Sequence, residues 1–360
     1  MNAKHAPGPA AVVVLATLAG AVAAIVLGLL TFGVQATVAP DRLPVAVAVN
    51  ADGPAGARLR QGAEQLAGQA GEELDVRLAG AQEARRLLDD RQVYGVLELA
   101  PAPNGQGVAA TVVVSGAVNP SGTATAQQAL TGAAQAVAAA SGSAPVITVQ
   151  VVHQAGAAGR TAPLAASALL WIGCLVSAAV LVAIGRRTGR PAGPGARLAV
   201  AAGSAVTVTA AVVGLLKLWD GGLPLDTEVL GFLLLVAIGF ATLQGAVLRL
   251  LGLAGMAILA PLYLLAPAVA GQVPELLHPA YRVLLWSWTP FRFSTEGLRS
   301  LLLLDGNALD LPDVRTAVLV FAGMAVVGLV VLGWPARRRP VPPVEEVSPS
   351  RPVPADATLA

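Results

Sequence analysis

The 360-residue chain holds few groups that could carry covalent chemistry. Its three histidines, His5, His153 and His278, stand far apart and lack the spacing of metal ligands. The single cysteine, Cys174, lies in an apolar run, forms no intrachain disulfide and reads as a small packing residue. Lysine occurs only at Lys4 and Lys217, so no G-x-x-x-x-G-K phosphate loop is possible, and with it no ATP hydrolysis by the standard route. No nucleophile, base and orienting group can be assembled. The expectation is a protein that is not an enzyme and binds no cofactor or metal directly. Charge chemistry gathers instead in "SWTPFRFSTEGLRSLLLLDG", residues 287–306, where Arg292, Glu296 and Arg299 stand beside Phe291, Phe293 and a run of four leucines. Thr289 can N-cap a helix with Pro290 in its first position. Glu296 and Arg299, three apart, can pair on one face, with Leu298, Leu301 and Leu302 on or near another. "DGN" at 305–307 would end it. Such a helix lies at an outer interface or dips partly into a membrane, with Trp286 and Trp288 as interfacial anchors.

A membrane is implied by composition. Hydrophobic residues make up 55% of the chain, charged residues 12%, and the mean hydropathy is +0.70. Soluble domains carry about 25% charged residues. The net charge of +2 is too small to argue for a nucleic-acid partner. Abundant Ala, Gly and Val, with arginine carrying nearly all the positive charge, points to a GC-rich bacterial genome.

Six charge-poor stretches reach the roughly 20 residues that cross a bilayer core. The first, "AVVVLATLAGAVAAIVLGLLTFGV", is about twice as long as the 7–15 apolar residues of a secretory signal, so it reads as an uncleaved span despite a cleavage-like "TVA" before Pro40. The others lie between Arg160 and Arg186, Arg197 and Lys217, Glu228 and Arg249, Arg249 and Glu275, and Arg315 and Arg337. The expected spans are 11–37, 163–185, 198–216, 229–248, 250–271 and 316–334, the fourth and fifth forming a tight hairpin around Arg249. Residues 1–10 form a short N-terminus, 163–334 the membrane domain, 272–315 an outer loop holding the helix above, and 335–360 a Pro-rich disordered tail. Arg186, Arg187, Arg190, Arg197, Arg249 and Arg337–Arg339 gather on one side, and most carboxylates on the other, which puts both termini in the cytoplasm. Within the spans the polar exceptions are Thr207, Thr209 and Gln244, which either line a path or hydrogen-bond between helices. The near absence of ionisable groups there argues against a self-driven pump.

Residues 41–160 then lie outside the cell. "LPVAVAVN" and "LDVRLAG" have strand spacing, "ARLRQGAEQLAGQAGEE" and "AQEARRLLDDRQ" helical spacing. "VYGVLELA" and "VAATVVVSG" flank a turn, "ATAQQALTGAAQAVAAASG" favours helix, and "VITVQVVHQ" is a last strand. The order β-α-β-α-β-β-α-β predicts a small α/β domain with a mixed sheet that serves as a binding or docking module. His153 reads as a surface or core histidine. The expected fold is an α-helical polytopic membrane protein with six transmembrane helices and an inserted extracytoplasmic α/β domain.

This layout resembles the membrane permeases of the type-2 ABC exporter class and the related phage-infection-protein (Pip-like) family. Asn50, Asp52 and Gly53 match the turn after their first outer strand. Ala84, Leu88, Val93, Tyr94, Gly95 and Pro101 match a second segment, and Pro290, Glu296, Gly297, Leu298 and Arg299 the stretch before the last span. The resemblance implies a permease subunit of the bacterial cell membrane, working as a homodimer or heterodimer and moving an apolar or amphipathic compound outward by alternating access. ATP would act only through a separate ATP-binding subunit. It implies an outer gate at Pro290, Glu296, Gly297 and Arg299, and an ATPase-coupling loop at Arg186, Arg187, Arg190 and Arg197, although the same arginines would also serve as a plain membrane anchor. The Pip-like alternative is an envelope protein acting in binding, secretion or assembly without ATP.

Overall fold

A computed structural model describes residues 9–102, 107–142, 146–304 and 306–335. The proline-rich tail beyond 335, expected to be disordered, lies outside the described residues, as does Asp305. The chain begins as α1 (Pro9–Gly28), which passes through a π-helical turn (Leu29–Gly33) into a last turn, α2 (Val34–Ala36). Most of its described apolar side chains face outward, including Leu18, Val22, Ile25 and Phe32. Among its described apolar side chains, Leu30 and Val34 at its end pack into the molecule.

The polar interval folds as expected. It comprises β1 (Leu43–Val49), α3 (Gly53–Gln69), β2 (Leu74–Ala79), α4 (Ala81–Asp89), β3 (Gly95–Pro101), β4 (Val108–Ser115), α5 (Pro120–Ala140) and β5 (Val146–Val152). One sheet runs β2-β1-β3-β4-β5. β1 is parallel to β2 and β3, β3 is antiparallel to β4, and β4 is parallel to β5. Each parallel step needs a crossover, which α3, α4 and α5 supply. Alternation along the strands divides the sheet's two faces. Leu43, Val45, Val47, Leu97 and Leu99 pack against Leu59 of α3 and Leu130 of α5. Ala46, Ala48, Val96 and Val113 pack against Ala84 and Leu88 of α4. With both faces covered, β1 has to be apolar almost throughout.

The remainder is helical: α6 (Ala157–Arg187), α7 (Pro194–Trp219), α8 (Thr227–Leu251), α9 (Met256–Ala270), α10 (Pro279–Tyr281), α11 (Pro290–Leu303) and α12 (Pro312–Gly333). Four runs among the described residues are long and apolar enough to cross a membrane: Ala157–Arg187, Pro194–Trp219, Thr227–Ala270 and Pro312–Gly333. In three of them only 28% of the most apolar window is buried, so most of that surface faces outward and points to a membrane location. Trp219 and Trp334 stand at helix ends, as interfacial tryptophans do.

Among the described residues, four such runs stand where six were expected. The first expected span is helical from Pro9 to Ala36, and its fully described part, 20–36, is a shorter apolar helix. The 44-residue run Thr227–Ala270 joins two of the expected spans, yet it breaks at Gly252. There φ is 61° and ψ −150°, a conformation open essentially to glycine alone. Gly255 turns back onto Val247 and Leu248, and α9 packs along α6 and α11. Taken alone, α9 has 15 residues, about 22 Å of helix, less than a bilayer core of about 30 Å.

Candidate functional site: a polar clamp on helix α11

Pro290 occupies the first turn of α11, where its missing N–H costs nothing, and Thr289 precedes it at the N-cap position. The Thr289 hydroxyl does not cap the helix; it donates back to the Leu285 carbonyl. The helix ends at Leu303, before the expected "DGN" stop. It is not an amphipathic helix spread on an outer surface. It lies among α6, α8, α9 and α12, with Phe291, Thr295, Leu298 and Ser300 buried. Phe291 enters an aromatic box, its ring centroid 4.9 Å from Trp171 and 5.8 Å from Phe240, and Phe321 closes the far side of Phe240 at 5.2 Å. Gly297 sits where α11 crosses α8: a Cβ there would stand 2.6 Å from Phe232 Cζ, so no larger residue fits without displacement. Ser294 donates to Ser167 of α6 at 2.8 Å. Arg292 stacks on Trp286, 3.8 Å from the ring centroid, while Trp288 is exposed.

The charged face of α11 meets the α/β domain. The expected Glu296–Arg299 pair forms, with Arg299 Nη1 2.6 Å from Glu296 Oε1. Arg299 is 3% exposed, and a guanidinium so buried needs this partner. Two residues absent from the sequence-based candidates complete the group. Arg91 Nη2 donates to Glu296 Oε2 at 2.7 Å, its Nη1 reaches Ser300 Oγ at 2.5 Å, and it also pairs with Asp313 of α12. Asn119 Nδ2 donates to Glu296 Oε1 at 3.1 Å, while its Oδ1 accepts from Ser121 N and caps α5. Nearby, Tyr94 donates to Glu275 at 2.9 Å and Arg282 to Asp41 at 2.7 Å. Val273 and Leu276 insert into the apolar core of the outer domain.

Electrostatics bind this group tightly. Burial alone would raise the Glu296 carboxyl, but Arg299 and Arg91, with hydrogen bonds from Arg299 and Asn119, outweigh it and hold the carboxyl below its ordinary value. Burial, then the Glu275 carboxylate, pushes the Tyr94 phenol above its usual range, so it remains a donor. Arg91 sits just after α4 with φ 59°, a position where glycine is usual. Nothing local in "DDRQVYG" signals that Arg91 answers a carboxylate far along the chain.

The other candidates lie elsewhere. Gln244 is fully buried and donates to the Trp171 carbonyl at 3.0 Å, tying α8 to α6, with its Oε1 unpartnered. Thr207 is exposed and bonds back to the Gly203 carbonyl at 2.8 Å. Thr209 is buried with its hydroxyl unpartnered. Arg186 and Arg197 border a cavity of about 560 Å³ at the other end of the bundle, together with Arg249, and none of the three polar residues just named borders it. Arg187 and Arg190 stand outside that cavity and are exposed. The connection 188–193 contains no helix. Cys174 packs in the core. His153 lies 3.2 Å from Ser115 Oγ, but that serine is 1% exposed, closed to a substrate.

No family model, curated protein or solved structure matches this chain.

Proposed function

We propose that the chain is the membrane-spanning permease subunit of an ABC-type exporter of the bacterial cell membrane, moving an apolar or amphipathic compound outward under the drive of a separate ATP-binding subunit. The observation that carries this reading is the clamp on α11. A 14-residue helix too short to span is wedged into one end of a bundle of apolar helices and tied to a folded domain above it. Such a plug is what an outer gate requires: rigid when closed, and released by breaking a few ion pairs rather than a hydrophobic core. Glu296, Gly297 and Arg299, with Pro290 at its start, are the gate residues, and Arg91 and Asn119 join them from the outer domain.

The topology behind this reading has six crossings. The first is residues 9–36, and Gly252 divides the long third run into α8 and α9, the latter reaching about 30 Å only together with the 3-10 turn Gly252–Gly255 that leads into it. The arginines of the α6–α7 and α8–α9 connections then face the cytoplasm with both termini, and the α/β domain lies outside. The exposed Arg187 and Arg190 are the part of the coupling loop free to meet an ATPase. Two copies of the chain, or this chain with a related one, would enclose the path.

A second reading has its own support. The helix-free connection 188–193 gives an ATPase little to grip, which favours the Pip-like alternative, an envelope binding, secretion or assembly factor without ATP. One experiment separates the two: a pull-down of the tagged full chain in mild detergent, with mass spectrometry of its partners. Recovery of a P-loop ATPase, lost in Arg187→Ala/Arg190→Ala, is the expected result. Repeated recovery of envelope or secretion proteins with no ATPase overturns the exporter reading.

A further inference from the structure

The cavity bordered by Arg186, Arg197 and Arg249 sits where α6 ends, α7 begins and α8 ends, with Leu332 of α12 closing one wall. Its volume, about 560 Å³, falls within the range of ligand sites, roughly 300–1,000 Å³. Its chemistry is divided. Leu181, Val182, Val200 and Leu248 line an aliphatic part. Arg186, Arg197 and Arg249 supply its charge, and none of the described lining residues is acidic.

Two of their donors are not satisfied by the protein. Arg197 Nε and Arg249 Nη1 are buried donors without a partner. Arg186 reaches the α8 end, since a Cβ on Gly252 would stand 2.6 Å from its Nη2. Buried donors left unmade cost about 1–3 kcal/mol each, and more when charged. Converging like charges add repulsion that only an anion relieves. The N-terminus of α7, a helix of 26 residues, starts at the same place, and its N-cap Gly193 provides no side-chain acceptor. Its free N–H groups and positive dipole end therefore also favour an anion.

We propose that this cavity binds an anionic phospholipid from the adjacent leaflet, its phosphate held by Arg197, Arg249 and Arg186 and an acyl chain lying along the aliphatic wall. A free phosphate would satisfy the arginines but leave the apolar part empty. Leu250 and Leu251, exposed between the lining residues Arg249 and Gly252, place outward apolar surface beside the cavity, where lipid would lie. The site stands whether or not an ATPase drives the chain.

The test is lipid retention by the purified full chain, read by native mass spectrometry after incubation with phosphatidylglycerol or phosphatidylcholine. Wild type is expected to retain the anionic lipid about tenfold more than the zwitterionic one. Arg197→Gln/Arg249→Gln removes that preference, while Arg187→Gln/Arg190→Gln, which lie outside the cavity, keep it. Val200→Phe fills the aliphatic part with all arginines present, so it lowers retention even if the double arginine variant fails to fold. Millimolar inorganic phosphate leaves retention unchanged. Displacement by phosphate, with Val200→Phe neutral, would show a simple anion site and overturn the lipid assignment. Equal retention of both lipids, or equal loss in the Arg187/Arg190 variant, overturns it as well.

Discussion

Arg91 and Glu296 are 205 residues apart in the chain and 2.7 Å apart in space. This contact joins the end of α4 in the outer domain to the middle of α11 in the helix bundle. Arg91 holds a left-handed backbone to make it, a conformation that costs a non-glycine residue about 1–2 kcal/mol. The cost is offset because one guanidinium serves Glu296, Ser300 and Asp313 together. The α/β domain is thereby fastened to a helix too deeply buried to be a surface feature and too short to be a span.

The contact can be measured by a double-mutant cycle. Arg91→Ala takes one of two arginines from Glu296, Glu296→Ala leaves the buried Arg299 without its carboxylate, and the Arg91 and Glu296 side chains are 17% and 21% exposed. Each is expected to destabilise the full chain in micelles by about 2–4 kcal/mol. The double variant should cost at least about 1 kcal/mol less than the sum. Strict additivity by denaturant titration would mean the two residues do not act as a pair. Under the gate reading, Glu296→Ala and Arg299→Ala insert normally but impair export; normal export in both would remove the gate role.

Acidity should loosen the clamp. The folded Glu296 carboxyl titrates below its ordinary value of 4.5. A depressed carboxyl contributes stability that is fully present above the unfolded value and is lost as pH falls through the folded one. The outer domain is therefore expected to hold to α11 at neutral pH and to become more readily cleaved by an acid-active protease below about pH 4. Glu296→Gln should flatten that pH dependence while lowering stability at neutral pH. An unchanged pH profile in this variant would assign the acid response to other carboxylates.

Packing at Gly297 gives a test free of charge effects. Gly297→Ala sets a methyl group against Phe232 and is expected to cost about 1–3 kcal/mol. Phe232→Leu should restore part of that loss by making room. If Gly297→Ala melts at the wild-type temperature, α11 does not lie as close to α8 as described.

Gln244 separates packing from a path. Gln244→Leu removes the bond to the Trp171 carbonyl and also the unpartnered Oε1, so its expected cost is about 0.6–1.5 kcal/mol. Transport, once assayed, should stay within about twofold. A larger transport loss at wild-type stability would place Gln244 on the route of the cargo.

The strands and helices of the outer domain were legible because their signals are local. Alternation in "LDVRLAG", a turn cluster after "LPVAVAVN" and an alanine-rich run each specify their own element, and the mixed sheet follows from their order. The Glu296–Arg299 pair was legible for the same reason, since three residues of helix bring the two side chains together. Apolar length marked the membrane helices, but length alone could not show that glycine at 252 breaks one run in two, nor that α11 would be buried. Hydropathy records what a segment avoids, and not which neighbour it meets. Arg91 and Asn119 come to Glu296, and Asp313 to Arg91, only because a sheet, two crossover helices and a helix bundle meet there, and an ion pair leaves no periodic trace along the chain. The same holds for Arg186, Arg197 and Arg249: the sequence set them all at one end of the bundle, and only the packing of α6, α7 and α8 closed them around a cavity.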